Sequence, residues 1–193
     1  IKNCKHVCKY LDMPLQHASN NMLKAMNRQI TREETTALIH DIRKSIPEIG
    51  LRTTMLVGFP GETEEDIDEL IAFVEEMRFD RLGVFTYSHE EGTSGYLLED
   101  TLSAEEKAQR ASRVMEVQQQ ISFDKNQEKI GKIFKVLIDA KEGGNFIGRT
   151  EFDSPEVDNE VLIDASKHYL RIGDFANVKI TRAEEFDLFG EPV

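Results

Sequence analysis

The feature that most limits what this chain can become is a change of pattern near Gln127. Before it, short apolar runs alternate with amphipathic helical stretches. After it, no stretch keeps a helical period, and short alternating runs are punctuated by Gly143, Gly144, Pro155, Asn159, Gly173 and Asp174. Strands alternating with helices imply parallel β-structure with right-handed crossovers. Short strands separated by turn residues imply a small all-β unit of OB-like size. The expected fold is therefore α/β. Residues 1–126 form part of a parallel βα barrel with a long linking helix, and residues 127–193 form a small β-barrel.

Along the first part, "KYLDMPLQ" reads as a strand and "ASNNMLKAMNRQ" as a helix. Thr31 and Glu34 have capping-box spacing, so "REETTALIHDIRKSI" reads as a helix with Leu38, Ile39, Ile42 and Ile46 on one face. "LRTTMLVGF" is a second strand. Thr63 and Asp66 repeat the capping box, opening a helix whose core stripe is Ile67, Leu70, Ile71 and Val74. "RLGVFTYS" is a third strand, and Ser103 opens the long helix. Three strands do not close a barrel, so this part reads as an arc of one. In the β unit the expected strands are 134–140, 146–152, 161–163 and 175–183.

Composition narrows the function classes. Apolar residues make up 39% of the chain and charged residues 31%, as in a soluble globular protein. No apolar run approaches the roughly 20 residues of a membrane span. The start "IKNCKHVCKY" has no signal-peptide core; it also lacks an initiator Met, so the true N-terminus is expected elsewhere. One cysteine pair is no disulfide framework, and the chain reads as cytoplasmic. The net charge of −12 repels phosphate backbones; it suits a basic protein partner, or solubility alone. Cys4 and Cys8 are too few for a cluster. Leu11 and Asp12 stand where a third thiolate would be, so no metal ligand is expected.

Sites in parallel α/β folds form at the C-terminal ends of the strands. Here these ends carry Gln16 and His17, then Gly58, Phe59, Pro60 and Gly61, then Tyr87, Ser88 and His89. The "GFPG" loop is neither a phosphate loop nor a dinucleotide fingerprint. The next helix begins Glu64-Glu65-Asp66, which would repel a phosphate. Glycines with flat apolar neighbours suit an uncharged ring such as adenine; a simple tight turn is the other reading. No acid, base and nucleophile constellation is readable, and no catalytic residue is assigned. His168 is expected at the surface. Met22, Met26, Phe73, Met77 and Met115 are expected in the core, and the acid runs "ETEEDIDE" and "DSPEVDNE" on solvated faces.

The stretches "YLDMPLQHASNNMLKAMNR", "LRTTMLVGFPGETEEDIDEL" and "LGVFTYSHEEGTSGY" together resemble the radical S-adenosylmethionine methylthiotransferases. The tail "GDFANVKITRAEEFDLFG" resembles that family's TRAM domain, a substrate-binding barrel. The resemblance covers essentially the whole chain. It implies the C-terminal half of a TIM-like radical SAM barrel followed by the TRAM domain. It implies S-adenosylmethionine and two four-iron four-sulfur clusters in a full-length parent, with neither cofactor expected on this piece alone. It places adenine at Gly58, Phe59, Pro60 and Gly61, and makes Gln16, His17, Arg52, Thr54 and Tyr87 pocket residues. The cluster cysteines of the family are absent, so the piece is expected to be inactive by itself.

The branch resembled most acts on an aspartate of the twelfth small-subunit ribosomal protein; a tRNA-modifying branch has similar motifs. Residues 127–193 hold nine Lys/Arg against fourteen Asp/Glu, a net of −5. An acidic barrel suits a basic ribosomal protein and suits RNA poorly. A third reading, of another class, is a ribosome- or RNA-binding adaptor without catalysis. The parent is expected to be monomeric, and the isolated piece to associate through its open sheet edge.

Overall fold

The structure, a computed structural model, describes residues 1–193, the side chain of Ser94 excepted. The chain divides into two compact units, Leu11–Gln118 and a second made of Ile1–Tyr10 with Gln119–Val193.

The first unit is built on a parallel sheet of order β1-β2-β3, with β1 at Tyr10–Asp12, β2 at Gly50–Val57 and β3 at Arg81–Thr86. Its helices are α1 (Asn20–Ala25), α2 (Arg32–Ser45) and α3 (Glu64–Met77), and it contains the start of α4 (Ala104–Gln127). Three capping boxes start α2, α3 and α4. Glu34, Asp66 and Glu106 each donate a backbone N–H to the hydroxyl of Thr31, Thr63 or Ser103 at 3.2 Å. Each carboxylate accepts the capping residue's own N–H at 2.8 to 2.9 Å. Such a cap contributes about 1 kcal/mol, and here it sets where each helix begins.

Strand β2 alternates. Leu51, Thr53, Met55 and Val57 are fully buried, and with Ile39 of α2 and Ile67, Leu70, Phe73, Val74 and Met77 of α3 they make the core. Burying each such aliphatic side chain contributes roughly 1.5–3 kcal/mol. Arg52, Thr54 and Leu56 are only half-buried, on the opposite face. The register sets Thr54 beside Gly83 and Leu56 beside Phe85, and Phe85 stays exposed.

The second unit is a closed barrel of order β4-β5-β6-β8-β7. Its strands are Ile133–Glu142 (β4), Asn145–Arg149 (β5), Glu160–Asp164 (β6), Phe175–Ala183 (β7) and Asp187–Pro192 (β8). All pairings are antiparallel except β6 with β8. Val136, Ile138, Phe146, Val161, Ile163, Val178, Ile180 and Leu188 fill it.

Several expectations need correction. Leu38 is exposed, because the α2 stripe runs Thr35, Ile39, Ile42, Ile46 and Leu38 lies about 70° off its centre. Strand β5 ends at Arg149, where Thr150 turns the chain by donating its hydroxyl to Asp153. The four stretches read as strands omit the closing strand β8, "DLFGEP", whose Gly190 and Pro192 are accommodated at the closure. A short 3-10 turn follows at Ser94–Leu97. His168 is half-buried rather than at the surface. Met22, Phe73 and Met77 are buried, while Met26 and Met115 are half-buried.

Candidate functional site

The ends of β1 and β2 are joined by backbone. Gln16, at φ 75°, donates its N–H to the Thr54 carbonyl at 2.9 Å, and its carbonyl accepts from Leu56 N–H at 2.7 Å. This isolated parallel bridge puts His17 beside the loop that follows β2. The loop is tight, with Glu62 N–H donating to the Phe59 carbonyl at 3.0 Å. Gly58, Phe59 and Pro60 are buried and Gly61 is exposed. Phe59 stands edge-on to Tyr87, the rings 5.1 Å apart, and Tyr87 N–H donates to the Val57 carbonyl at 2.8 Å.

The two loop glycines differ. Both need the left-handed backbone region, at φ 76° and 86°. A β-carbon on Gly58 would meet Lys107 Cγ at 2.4 Å, whereas one on Gly61 would meet nothing within 4 Å. The close approach at Gly58 is therefore to α4, and the open space lies beside Gly61. The Gly58 amide is also engaged, donating to both carboxylate oxygens of Glu62 at 2.8 and 3.0 Å.

Glu62 is the residue that sequence reasoning missed. It lies in the run expected on a solvated face, yet it is 5% exposed. Its Oε1 accepts from Arg110 Nη1 at 2.8 Å, and the same nitrogen donates to its main-chain carbonyl at 3.0 Å. Its Oε2 lies 3.4 Å from His17 Nε2. His17 Nδ1 accepts the Ser19 N–H at 3.0 Å, so the ring proton is on Nε2 and faces Glu62. Lys107 Nζ donates to Asp100 at 2.6 Å and lies 5.2 Å from the centre of the Tyr87 ring. A signal for these partners existed. Lys107, Arg110 and Arg113 repeat every three residues, as one face of α4. That face meets the acids of the loop and of α3.

Asp66, from the same acid run, is buried as well. Burial pushes its carboxyl up, but hydrogen bonds from Ser19, Thr63 and Asn21 outweigh this and leave it below the usual range. Hydrogen bonds from Arg113 and Arg110 hold Glu64 low despite its partial desolvation. Burial first, then Asp100 and Glu90, push the Tyr87 phenol up. Glu64 and Glu65 sit in the first turn of α3, where an anion would meet negative charge.

Of the expected pocket residues, Gln16 and Thr54 meet through backbone, His17 and Gly58 through Glu62, and Phe59 and Tyr87 through their rings. Arg52 stands apart on the half-buried face of β2, its Nε 3.9 Å from Asp12 Oδ2. Cys4 and Cys8 are exposed free thiols. Two thiolates are fewer than the three or four a four-iron cluster takes, and among the described residues no group of three or more His, Cys, Asp or Glu is placed to hold a metal. Among the described residues no helix is long and apolar enough to cross a membrane.

Residues 1–74 match the radical SAM superfamily and residues 130–193 match the TRAM domain. The chain is 62% identical over 188 residues to the ribosomal protein uS12 methylthiotransferase RimO of Cytophaga hutchinsonii, covering 97% of this chain and 43% of that protein. It is 58% identical over 192 residues to the protein of the same name in Flavobacterium johnsoniae, covering 100% and 44%. Against that of Chloroherpeton thalassium the identity is 53% over 196 residues, covering 100% and 45%. The chain thus spans less than half the length of these relatives. With both domain families present in order, and with identity above half along its whole length, the chain belongs to the radical SAM methylthiotransferase family.

Proposed function

We propose that this chain is the C-terminal part of an enzyme that methylthiolates the β-carbon of an aspartate in ribosomal protein uS12. The observation that carries the reading is the identity to proteins named for that activity, which runs through both units without interruption. The tRNA branch has no such support among these relatives, and an adaptor role leaves the linked loop at the strand ends without a use.

In this reading the protein is cytoplasmic, and residues 1–126 supply part of the radical SAM barrel. Gly58, Phe59, Pro60 and Gly61, with Gln16, His17, Arg52, Thr54 and Tyr87, hold S-adenosylmethionine. The open space beside Gly61 and the edge-on rings of Phe59 and Tyr87 support a site for an adenine ring. Arg52 offers its guanidinium to the ligand's carboxylate in exchange for its long contact to Asp12. When bound and reduced through an iron–sulfur cluster, one molecule of this cofactor would supply a carbon radical, leaving methionine, and a second molecule would supply the methyl group. The cysteines of this chain do not make a cluster's ligand set, so the two four-iron clusters belong to parts of the full-length protein outside it, and the chain alone is inactive. Residues 127–193 recognise the substrate, their net −5 complementing a basic ribosomal protein.

The test is anaerobic turnover by the full-length protein, with uS12 and, separately, with tRNA, read by mass spectrometry. A methylthio group gained on a uS12 aspartate supports the reading. Modification of tRNA only, or of neither substrate by a cluster-loaded enzyme, refutes it.

A further inference from the structure

We infer that Arg110 is a positioning residue for the loop at Gly58–Gly61, acting through the carboxylate of Glu62. The inference rests on the reading of that loop as the cofactor site and adds to it a residue that touches no ligand.

His17, Glu62 and Arg110 are 1%, 5% and 8% exposed, so their contacts are shielded from water. The Glu62 carboxylate does three things at once. It holds the Gly58 amide with both oxygens, it takes the Arg110 guanidinium on Oε1, and it faces His17 from Oε2. One carboxylate therefore fixes the end of β2 and faces the ring that follows β1. His17 Nε2 is the buried polar atom of this group that makes no hydrogen bond. Its ring direction is set by Ser19 on one side and by the place of Glu62 on the other.

Arg110 decides where Glu62 stays. It grips the side chain and the main-chain carbonyl of the same residue. A buried carboxylate deprived of its cation does better in water. The nearest way out is rotation of Glu62, which releases the Gly58 amide and loosens the loop up to Gly61. The stem of Lys107 packed over Gly58 resists that motion at a second point on α4. Arg113, one turn further along, pairs with Glu64 and Asp68 at the exposed start of α3; it shares Glu64 with Arg110 Nη2, at 2.9 Å, but not Glu62, and so serves as a control.

The experiment uses the full-length protein and three readouts: calorimetric affinity for S-adenosylhomocysteine, hydrogen exchange over residues 56–62, and thermal midpoint. Arg110→Met is expected to weaken binding about tenfold or more and to speed exchange in the loop. Arg110→Lys recovers part of both, and Arg113→Met changes neither. Arg110→Met with unchanged affinity and exchange, or Arg113→Met with equal losses, overturns the inference. If Arg110→Met does not fold, Glu62→Gln, which keeps the shape and removes the charge, must show the same losses, and its failure to do so overturns it equally. A wild-type protein that binds no adenosyl ligand refutes the cofactor reading. Loop exchange then judges the clamp alone, and unchanged exchange in Arg110→Met overturns it.

Discussion

Lys107 Cγ occupies the position that a side chain on Gly58 would need, 2.4 Å from where its β-carbon would stand. The glycine of the β2 loop is thus required by the packing of α4 on the strand end, and by a φ of 76°. Gly58→Ala must move the Lys107 stem or the loop, a misfit of about 1–3 kcal/mol on top of the left-handed strain. Gly61→Ala meets open space and keeps only the strain, about 1–2 kcal/mol. Urea unfolding of the two variants checks this order; equal losses would show that Lys107 gives way freely.

Asp66 couples the stability of the first unit to acid. It accepts from the Ser19 hydroxyl, from Asn21 and from its capping partner Thr63. Its folded-state carboxyl is held below the usual range. A depressed acid contributes stability in full above its unfolded value, about 3.9, and loses it as pH falls through the lower folded value. Asp66→Asn should therefore be less stable than wild type at pH 7, and the gap should narrow below pH ~4. Parallel stability curves for the two proteins across that window would disprove the assignment.

In the second unit, Asn126 near the end of α4 donates to the carbonyls of Glu184 and Glu185 at 3.0 and 3.1 Å and is fully buried. It satisfies two carbonyls in the turn between β7 and β8, the turn that brings the closing strand home. Asn126→Ala removes both bonds to these part-buried carbonyls and empties a fully buried position, and should cost about 1–3 kcal/mol. Thermal unfolding followed by tryptophan-free probes such as far-UV dichroism reads this loss; a midpoint unchanged from wild type would mean that water replaces the side chain.

Much of this was legible in the sequence because it is local. Thr31/Glu34 and Thr63/Asp66 announce their helices at fixed spacing, and the alternation of "LRTTMLV" gives both faces of β2. What was missed depends on partners far along the chain. Glu62 looks like one more acid in a solvated row until Arg110, 48 residues later, is brought onto it. Strand β8 looks like a tail because Gly190 and Pro192 break strands, and only pairing with both β6 and β7 holds it. Leu38 reads as core by its apolarity, although Thr35 carries that stripe.

Glu160 bears on what the barrel accepts. Its carboxyl is pushed up by partial burial and then by the negative charges of Asp187 on β8 and of Glu142 and Asp139 on β4, the last of which also pairs with Arg149. An acid whose folded value is raised contributes stability fully present below its unfolded value and lost as pH rises through the folded one. Glu160→Gln should therefore leave the chain slightly more stable at pH 7, with the gain vanishing below pH ~4. The repulsion is relieved equally by a cation from outside. If this face receives the basic partner, binding of the chain to purified uS12 should weaken steadily with salt, and Glu160→Gln should weaken it further at low salt. Fluorescence anisotropy with labelled uS12 measures both effects. A Glu160→Gln variant that gains stability yet binds as wild type would show that the acids serve solubility and that the partner docks elsewhere.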